Sequence, residues 1–376
     1  MKVGIMSMQR IENYGSFLQA YCLRQILEEM GQNIIFIDYI IEPCIVKEPE
    51  RVIIHHSIPY RILRKIYYWF KDLCDFISGK KFKEKKLESM RLRIQYKNYL
   101  RELGITEERT ENTPVDLLII GSDEVFNCLQ TNSYVGYSKQ LFGEGVNAKR
   151  VISYAASAGF TTIDGLKSYG ILDQVAYMLK TNFDGISVRD DNTYRLVQSL
   201  TGMSPEKHLD PVLIGNLSEC IIENNDLNKY VVVYSYEERM SNHNEEAEAI
   251  QKFAYENGLK TVSIGNFQKW TDLKIEASPF ELLGYIKNAE YVVTDTFHGT
   301  IFSIVLHKQF GTIVRESNRQ KLTALLKTFS LENRCINNLN DISDILKTEV
   351  NYENIEIIRE KEKEKTKKYL SSFFNK

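Results

Sequence analysis

Length, composition and charge exclude several classes of protein. The 376 residues exceed what one ordinary core needs, and 43% apolar with 26% charged residues is typical of a globular protein. A formal net charge of −2 provides no overall field that favours nucleic acid, so an anionic ligand needs local arginines. The first residues form a short strand pattern rather than a signal peptide, and no apolar run reaches the roughly 20 residues of a membrane span. We therefore expect a cytoplasmic protein.

Apolar strands alternate with helices in the first half of the chain. A helix is predicted at residues 17–30, and strands are predicted at residues 2–8, 33–40, 115–120, 150–154 and 184–188. Continuous apolar strands separated by helices indicate a parallel sheet that is covered on both faces.

The strand–helix pattern restarts in the second half. Strands are predicted at 229–236, 260–264, 291–294 and 310–314, with helices at 244–257, at 297–306 and from a capping box at Ser278 and Glu281. We therefore predict an α/β protein with two Rossmann-like domains facing a cleft. The first domain is residues 1–215, the second is residues 216–340, and a helix at 350–376 packs back toward the first domain.

A basic helical insertion is predicted near residues 55–110. Its segment 61–101 is rich in lysine, arginine and aromatic residues. This composition fits a peripheral contact with an anionic membrane, or a solvated helical face above a buried aromatic stripe. The pattern favours the second interpretation.

Cysteines and histidines do not form metal-binding patterns. The six cysteines are far apart without a C-x-x-C pair, and the six histidines include no H-E-x-x-H. We expect reduced thiols and no built-in metal site.

Two turns in the first domain carry polar residues. Asn13, Gly15 and Ser16 join a strand to a helix, where a glycine and free N–H groups suit an anion, although a plain turn explains them as well. Asp123 follows the strand at 115–120, at the sheet edge where such folds bind ligands. It can act as a base, or it can cap the next element.

An arginine and an aspartate follow later strands. Arg189 ends a buried strand, where a guanidinium needs either an anionic ligand or an acidic neighbour. Asp210 precedes a proline and either lines the cleft or starts a turn.

The sharpest motif surrounds His298. It stands at once after a strand and at a helix N-terminus, which is a ready anion site for a residue that exchanges protons near neutral pH. Gly299, which follows it, leaves room for a ligand. Capping by Asp295 or Thr296 explains those two residues but does not explain His298 and Gly299.

Seven segments, taken in order, resemble the polysaccharide pyruvyl transferase family from residue 1 to about 335. They are NYGSFLQAYCLRQIL, DLLIIGSDEVFN, ISYAASAG, ISVRD, HLDPVL, FELLGYIKNAEYVVTDTFHGTIFSIVLHKQF and SNRQKLTALLKTFSLENR. Each is weak alone, but the ordered set is specific. The resemblance implies a GT-B-like fold whose site lies in the interdomain cleft.

The resemblance also implies a reaction. The enol carbon of phosphoenolpyruvate is protonated, a sugar hydroxyl attacks, phosphate leaves, and a second hydroxyl closes a ketal. By resemblance, Arg189 and His298 bind the donor, with His298 as phosphate ligand or acid/base, and Asp123 with Asn127 meets the acceptor. Further substrate-binding residues implied are Asn13, Gly15, Ser16, Gly299, Thr300, Arg315 and Arg319. No metal or organic cofactor is required.

One position departs from part of the family. Some members carry arginine two residues before the motif histidine, where this chain has Thr296. This difference implies that the donor clamp is built differently here. Two alternatives stay open: a GT-B glycosyltransferase with a nucleotide-sugar donor, and a non-catalytic sugar-binding protein of a polysaccharide pathway.

Overall fold

Six parallel strands form the first sheet. A computed structural model describes residues 1–46, 96–223, 226–236, 239–240 and 244–374. The strands are β1 (Lys2–Met6), β2 (Asn33–Phe36), β3 (Val115–Asp123), β4 (Ala148–Ala156), β5 (Ser187–Val188) and β6 (Glu206–Lys207). Their order across the sheet is β2-β1-β3-β4-β5-β6, and every pairing is parallel. All six carboxyl ends therefore meet at one edge of the sheet.

Five parallel strands form the second sheet. They are β7 (Tyr230–Tyr234), β8 (Lys260–Ile264), β9 (Leu273–Ile275), β10 (Tyr291–Thr294) and β11 (Gln309–Thr312), in the order β11-β10-β7-β8-β9. Every pairing is again parallel. The bounds of β8 and β10 agree with the predicted strands, β7 and β11 each end two residues earlier than predicted, and β9 was not predicted.

Helices connect the strands of both sheets. They are α1 (Tyr14–Glu29), α2 (Ile163–Ser168), α3 (Leu172–Thr181), α4 (Asp191–Thr201), α5 (Pro211–Ile214), α6 (Asn244–Glu256), α7 (Pro279–Asn288), α8 (Phe297–Val305), α9 (Arg319–Thr328), α10 (Ile342–Lys347) and α11 (Tyr352–Ser371). Short 3₁₀ turns occupy Lys139–Phe142, Glu316–Asn318, Glu332–Arg334 and Leu339–Asp341. The predicted capping box is present at the start of α7, where Ser278 and Glu281 satisfy each other's backbone N–H groups.

The two sheets confirm the predicted α/β class with two Rossmann-like domains facing a cleft. The last strand of the first sheet ends at Lys207, and the first strand of the second sheet begins at Tyr230. One apolar core is continuous across the junction, with the rings of Phe17 and Phe280 5.7 Å apart. The opposing strand ends are therefore held at a fixed separation.

The last helix, α11, lies against the first domain. The Tyr369 hydroxyl donates to the Ser153 carbonyl at 2.9 Å, and Arg359 Nε donates to the Leu213 carbonyl at 2.6 Å. Most of the predicted insertion at 55–110 lies outside the described residues, as does most of the basic aromatic segment 61–101. Of its described part, residues 96–102 are helical, and Tyr99 packs on Phe280 with ring centroids 5.0 Å apart.

Candidate functional site

A cavity of about 340 Å³ lies between the carboxyl ends of the two sheets. Residues that follow β1, β3 and β5 contribute from the first domain, and residues that follow β7 and β10 contribute from the second. The predicted site residues that line this cavity are Asn13, Ser16, Asp123, Asn127, Arg189 and His298. The strand-end argument therefore brings six predicted residues together, from positions up to 285 residues apart in sequence.

His298 occupies the second position of α8. Thr296 caps this helix because its hydroxyl accepts the Gly299 N–H at 2.9 Å. The imidazole packs against Gly15 of α1, where an added Cβ would lie 2.1 Å from His298 Nδ1. Gly15 is thus a contact surface for the histidine ring across the domain junction, and any larger side chain would displace that ring.

Asp210 joins the histidine to Arg189. Its Oδ2 accepts Arg189 Nη1 at 2.7 Å and lies 3.6 Å from His298 Nε2. Arg189 is 4% and Asp210 0% exposed in side-chain area, so the ion pair is almost fully buried. Burial alone would raise the pKa of Asp210, but His298 and Arg189 outweigh burial and lower it. The carboxylate of Asp210 therefore stays charged between the two side chains.

Asp123 is held rigidly at the end of β3. Its Oδ2 accepts the Ser16 hydroxyl at 2.8 Å, and its Oδ1 accepts the Glu124 N–H at 2.9 Å. The backbone adopts a left-handed conformation with φ 78°, which is uncommon outside glycine and turns the chain sharply into the cleft. The carboxylate is consequently fixed in the cavity wall.

Glu124 and Lys321 form an ion pair between the two domains. The Lys321 ammonium lies 2.7 Å from Glu124 Oε1, and Asn127 Nδ2 donates to Glu124 Oε2 at 2.9 Å. Burial alone would raise the pKa of Glu124, but the charge and hydrogen bond of Lys321 lower it to about 2. Both residues line the cavity, and neither was among the predicted site residues.

Three predicted binding residues have structural roles. The Asn13 side chain caps α1 by accepting the Gly15 N–H at 2.8 Å. Thr300 is fully buried, and its hydroxyl donates to the Thr296 carbonyl at 3.0 Å. A Cβ at Gly299 would lie 2.2 Å from the Thr294 hydroxyl, so this glycine permits packing of α8 against its own sheet. The expectation that Gly299 leaves room for a ligand is corrected accordingly.

Arg315 and Arg319 do not line the cavity, which corrects the anion clamp expected from them. Arg315 makes a bidentate pair with Glu246, at 2.7 and 2.6 Å, and a third bond of 3.0 Å to Asp295. Arg319 lies on the outer face of α9, 60% exposed, beside Glu316. Both guanidinium groups already have acidic neighbours in the second domain.

Within the described ranges, no cluster of three or more His, Cys, Asp or Glu side chains has the geometry to hold a metal ion. None of the described helices is long and apolar enough to cross a bilayer.

Fold and site together define a GT-B-like protein whose interdomain cleft is lined by buried charged groups. Residues 13–317 match the sequence profile of the polysaccharide pyruvyl transferases. Since this match spans most of the chain, the chain belongs to the polysaccharide pyruvyl transferase family, and it is a transferase.

Solved structures with a related fold share little sequence with this chain. The UDP-GlcNAc 2-epimerase from Neisseria meningitidis, bound to UDP-GlcNAc, is 11% identical, with 99% of this chain and 100% of that chain covered and a TM-score of 0.49. A putative UDP-N-acetylglucosamine 2-epimerase from Listeria monocytogenes is 8% identical, with 96% and 90% covered and a TM-score of 0.48. No curated protein sequence matches the chain.

Proposed function

We propose that this enzyme transfers the pyruvyl group of phosphoenolpyruvate to a sugar of a surface polysaccharide or its lipid-linked precursor. Family membership supports a polysaccharide pyruvyl transferase. The observation that carries the choice of donor is the buried Arg189–Asp210–His298 contact in the cavity wall. It combines a fixed guanidinium for an anion with a histidine that can carry a proton.

The proposed chemistry balances with two hydroxyl groups of one sugar. The methylene carbon of phosphoenolpyruvate gains a proton, and a sugar hydroxyl oxygen bonds to the adjacent carbon. The carbon–oxygen bond to phosphate breaks, and the second hydroxyl closes the ketal. Of the two protons that the hydroxyls lose, one balances the new methyl group and the other leaves on phosphate. No metal or organic cofactor enters the balance.

Each residue has a specific role in this proposal. Arg189 binds the donor's phosphate or carboxylate through the part of its guanidinium that Asp210 does not occupy. His298 passes the proton, and Asp210 Oδ2 lies 3.6 Å from its Nε2. Asp123 accepts a hydrogen bond from the attacking hydroxyl, because Ser16 and the Glu124 N–H fix its orientation. Asn127 lines the same cavity and contacts the acceptor in this proposal.

The location that this proposal implies is the cytoplasm, where phosphoenolpyruvate is made. A lipid-linked acceptor would bring the enzyme to the inner face of the membrane. For segment 61–101 such a contact was the less favoured of two interpretations, and most of that segment lies outside the described residues.

Ligand-induced stabilisation tests the donor. Phosphoenolpyruvate at about 100 times its Kd should stabilise the fold by about 2.7 kcal/mol and raise Tm. A nucleotide sugar or UDP that raises Tm when phosphoenolpyruvate does not would favour the glycosyltransferase alternative. A response to sugar alone would favour the sugar-binding alternative.

Arg189→Lys refines this test because the lysine keeps a positive charge beside Asp210 but loses the planar fork. We expect phosphoenolpyruvate affinity to fall by roughly tenfold. Arg319→Lys is the matched control, since Arg319 lies on the exposed face of α9. Equal affinities for wild type and Arg189→Lys would contradict the assignment of Arg189.

A further inference from the structure

Two cationic side chains lie over one aromatic ring inside the cleft. Arg189 Cζ lies 4.5 Å from the centroid of the Phe297 ring, and Lys321 Nζ lies 5.7 Å from the same centroid. Phe297 is the first residue of α8, so the ring also marks a helix N-terminus whose first N–H groups have no acceptor within the helix. Two cations and a helix start at one place favour a ligand with more than one negative charge.

The counter-ions of these two cations differ in their accessibility. Asp210, the partner of Arg189, is fully buried, and its second oxygen accepts the Val212 N–H at 3.1 Å. Glu124, the partner of Lys321, is 24% exposed and itself lines the cavity. A ligand that enters the cavity can therefore replace Glu124 at Lys321, but it cannot reach Asp210.

Glu124 keeps one hydrogen bond when a ligand binds Lys321. Its Oε2 keeps the Asn127 amide bond of 2.9 Å, which does not involve the lysine. The Lys321 ammonium has three donors and, among the described residues, makes one hydrogen bond, to Glu124 Oε1 at 2.7 Å. The exchange thus breaks one ion pair and forms another, and Glu124 keeps its hydrogen bond to Asn127.

We propose that Lys321 is the second donor-binding cation of the cleft. Glu124 is its counter-ion when no donor is bound, and an anionic oxygen of the donor displaces Glu124 from Lys321. This inference rests on the proposed function. Lys321 touches the donor directly, while Glu124 acts only through Lys321. Thr296, in the wall of the cavity, carries no charge. Lys321 supplies from α9 the positive charge that this position of the α8 motif lacks.

The proposal predicts opposite effects for the two partners. Lys321→Met should weaken phosphoenolpyruvate binding by about ten- to a hundredfold, the equivalent of one hydrogen bond between charged groups. Glu124→Gln should strengthen binding by about three- to tenfold, because the ligand no longer competes with a carboxylate. An ion pair that only holds the domains together predicts weaker binding for both variants.

Calorimetric titration with phosphoenolpyruvate and, separately, with orthophosphate at fixed ionic strength measures whether each variant binds the anion more tightly or more weakly. Lys327→Met is the matched control, because Lys327 is an exposed lysine of the same helix that does not line the cavity. Lys321→Arg keeps the charge and should restore most of the affinity. Because Lys321→Met leaves Glu124 without its counter-ion, the double variant Lys321→Met/Glu124→Gln repeats the measurement with both charges removed.

The outcomes separate this inference from the proposed function. Suppose that wild type binds both anions. The role of Lys321 is then overturned, and the proposed function stands, if Glu124→Gln binds the anions more weakly than wild type. The same conclusion follows if Lys321→Met and the double variant both bind as tightly as wild type. If wild type binds orthophosphate but not phosphoenolpyruvate, the proposed donor is overturned, and the orthophosphate series decides on Lys321. If wild type binds neither anion, both proposals are overturned.

Discussion

The buried pair of Arg189 and Asp210 permits a quantitative test of how the cleft is held. Asp210→Asn keeps the shape of the side chain, and the amide oxygen can still accept the Val212 N–H. It removes the charge that compensates Arg189, whose side chain is only 4% exposed. Loss of one partner of a buried ion pair costs about 3–5 kcal/mol, so we expect the free energy of unfolding to fall by that amount at neutral pH.

The pH dependence of this loss follows from the lowered pKa of Asp210. A lowered carboxyl pKa contributes stability above the unfolded-state pKa of about 3.9, and this contribution disappears as the pH falls through the lower folded-state pKa. The difference between wild type and Asp210→Asn should therefore be constant between about pH 5 and about pH 8. Below about pH 4 it should shrink, because the unfolded wild-type chain then binds a proton at this carboxyl that the folded state does not bind.

Urea unfolding followed by circular dichroism measures both effects. Asp191→Asn is the control, because Asp191 pairs with Lys207 where both side chains are about half exposed, and surface pairs contribute only about 0–1 kcal/mol. The double variant Arg189→Met/Asp210→Asn removes both charges and should regain most of the lost stability. A loss for Asp210→Asn no greater than the loss for Asp191→Asn would refute the reasoning.

Three further predictions concern a neighbour of His298 and two residues outside the cavity. Gly15→Ala places a methyl group 2.1 Å from His298 Nδ1, so we expect kcat to fall by about tenfold or more and the free energy of unfolding to fall by about 1–3 kcal/mol; undiminished turnover would contradict this. Arg315→Ala breaks the pair with Glu246 and should destabilise the fold by about 3 kcal/mol without changing phosphoenolpyruvate affinity, which calorimetry can check. Burial lowers the pKa of His208 to about 4. The stability that depends on its neutral form is therefore complete above about pH 6.5 and falls by up to about 3 kcal/mol as the pH drops to about 4. His208→Asn should flatten this dependence of unfolding free energy on acid pH, and an unchanged dependence would contradict the role given to His208.

The proposed reaction gives the domain junction a chemical role. His298 belongs to the second domain, and its neighbours Gly15 and Asp210 belong to the first. The pair of Glu124 and Lys321 crosses the same junction. A small shift between the domains would therefore change the environment of the histidine and of the second cation together, which couples cleft geometry to donor binding.

The fold class and the strand-end residues were predictable from the sequence. Continuous apolar runs such as residues 115–120 and 291–294 can be buried on both faces only in a parallel sheet that helices cover. In such a sheet the carboxyl ends share one edge, which is why Asp123, Arg189 and His298 lie in the same cavity. Local patterns contain this information because both rules depend on residues that are near each other in the chain.

The pairing of side chains was decided only by the tertiary structure. Arg319 was expected in the cleft, yet Lys321 occupies it, because residues two apart on a helix point about 200° away from each other and the packing of α9 selects one face. Glu124 meets Lys321 across 197 positions of sequence, and Gly15 faces His298 across the domain junction. A helix's own periodicity says which residues share a face, but only its contact with distant elements determines what that face meets.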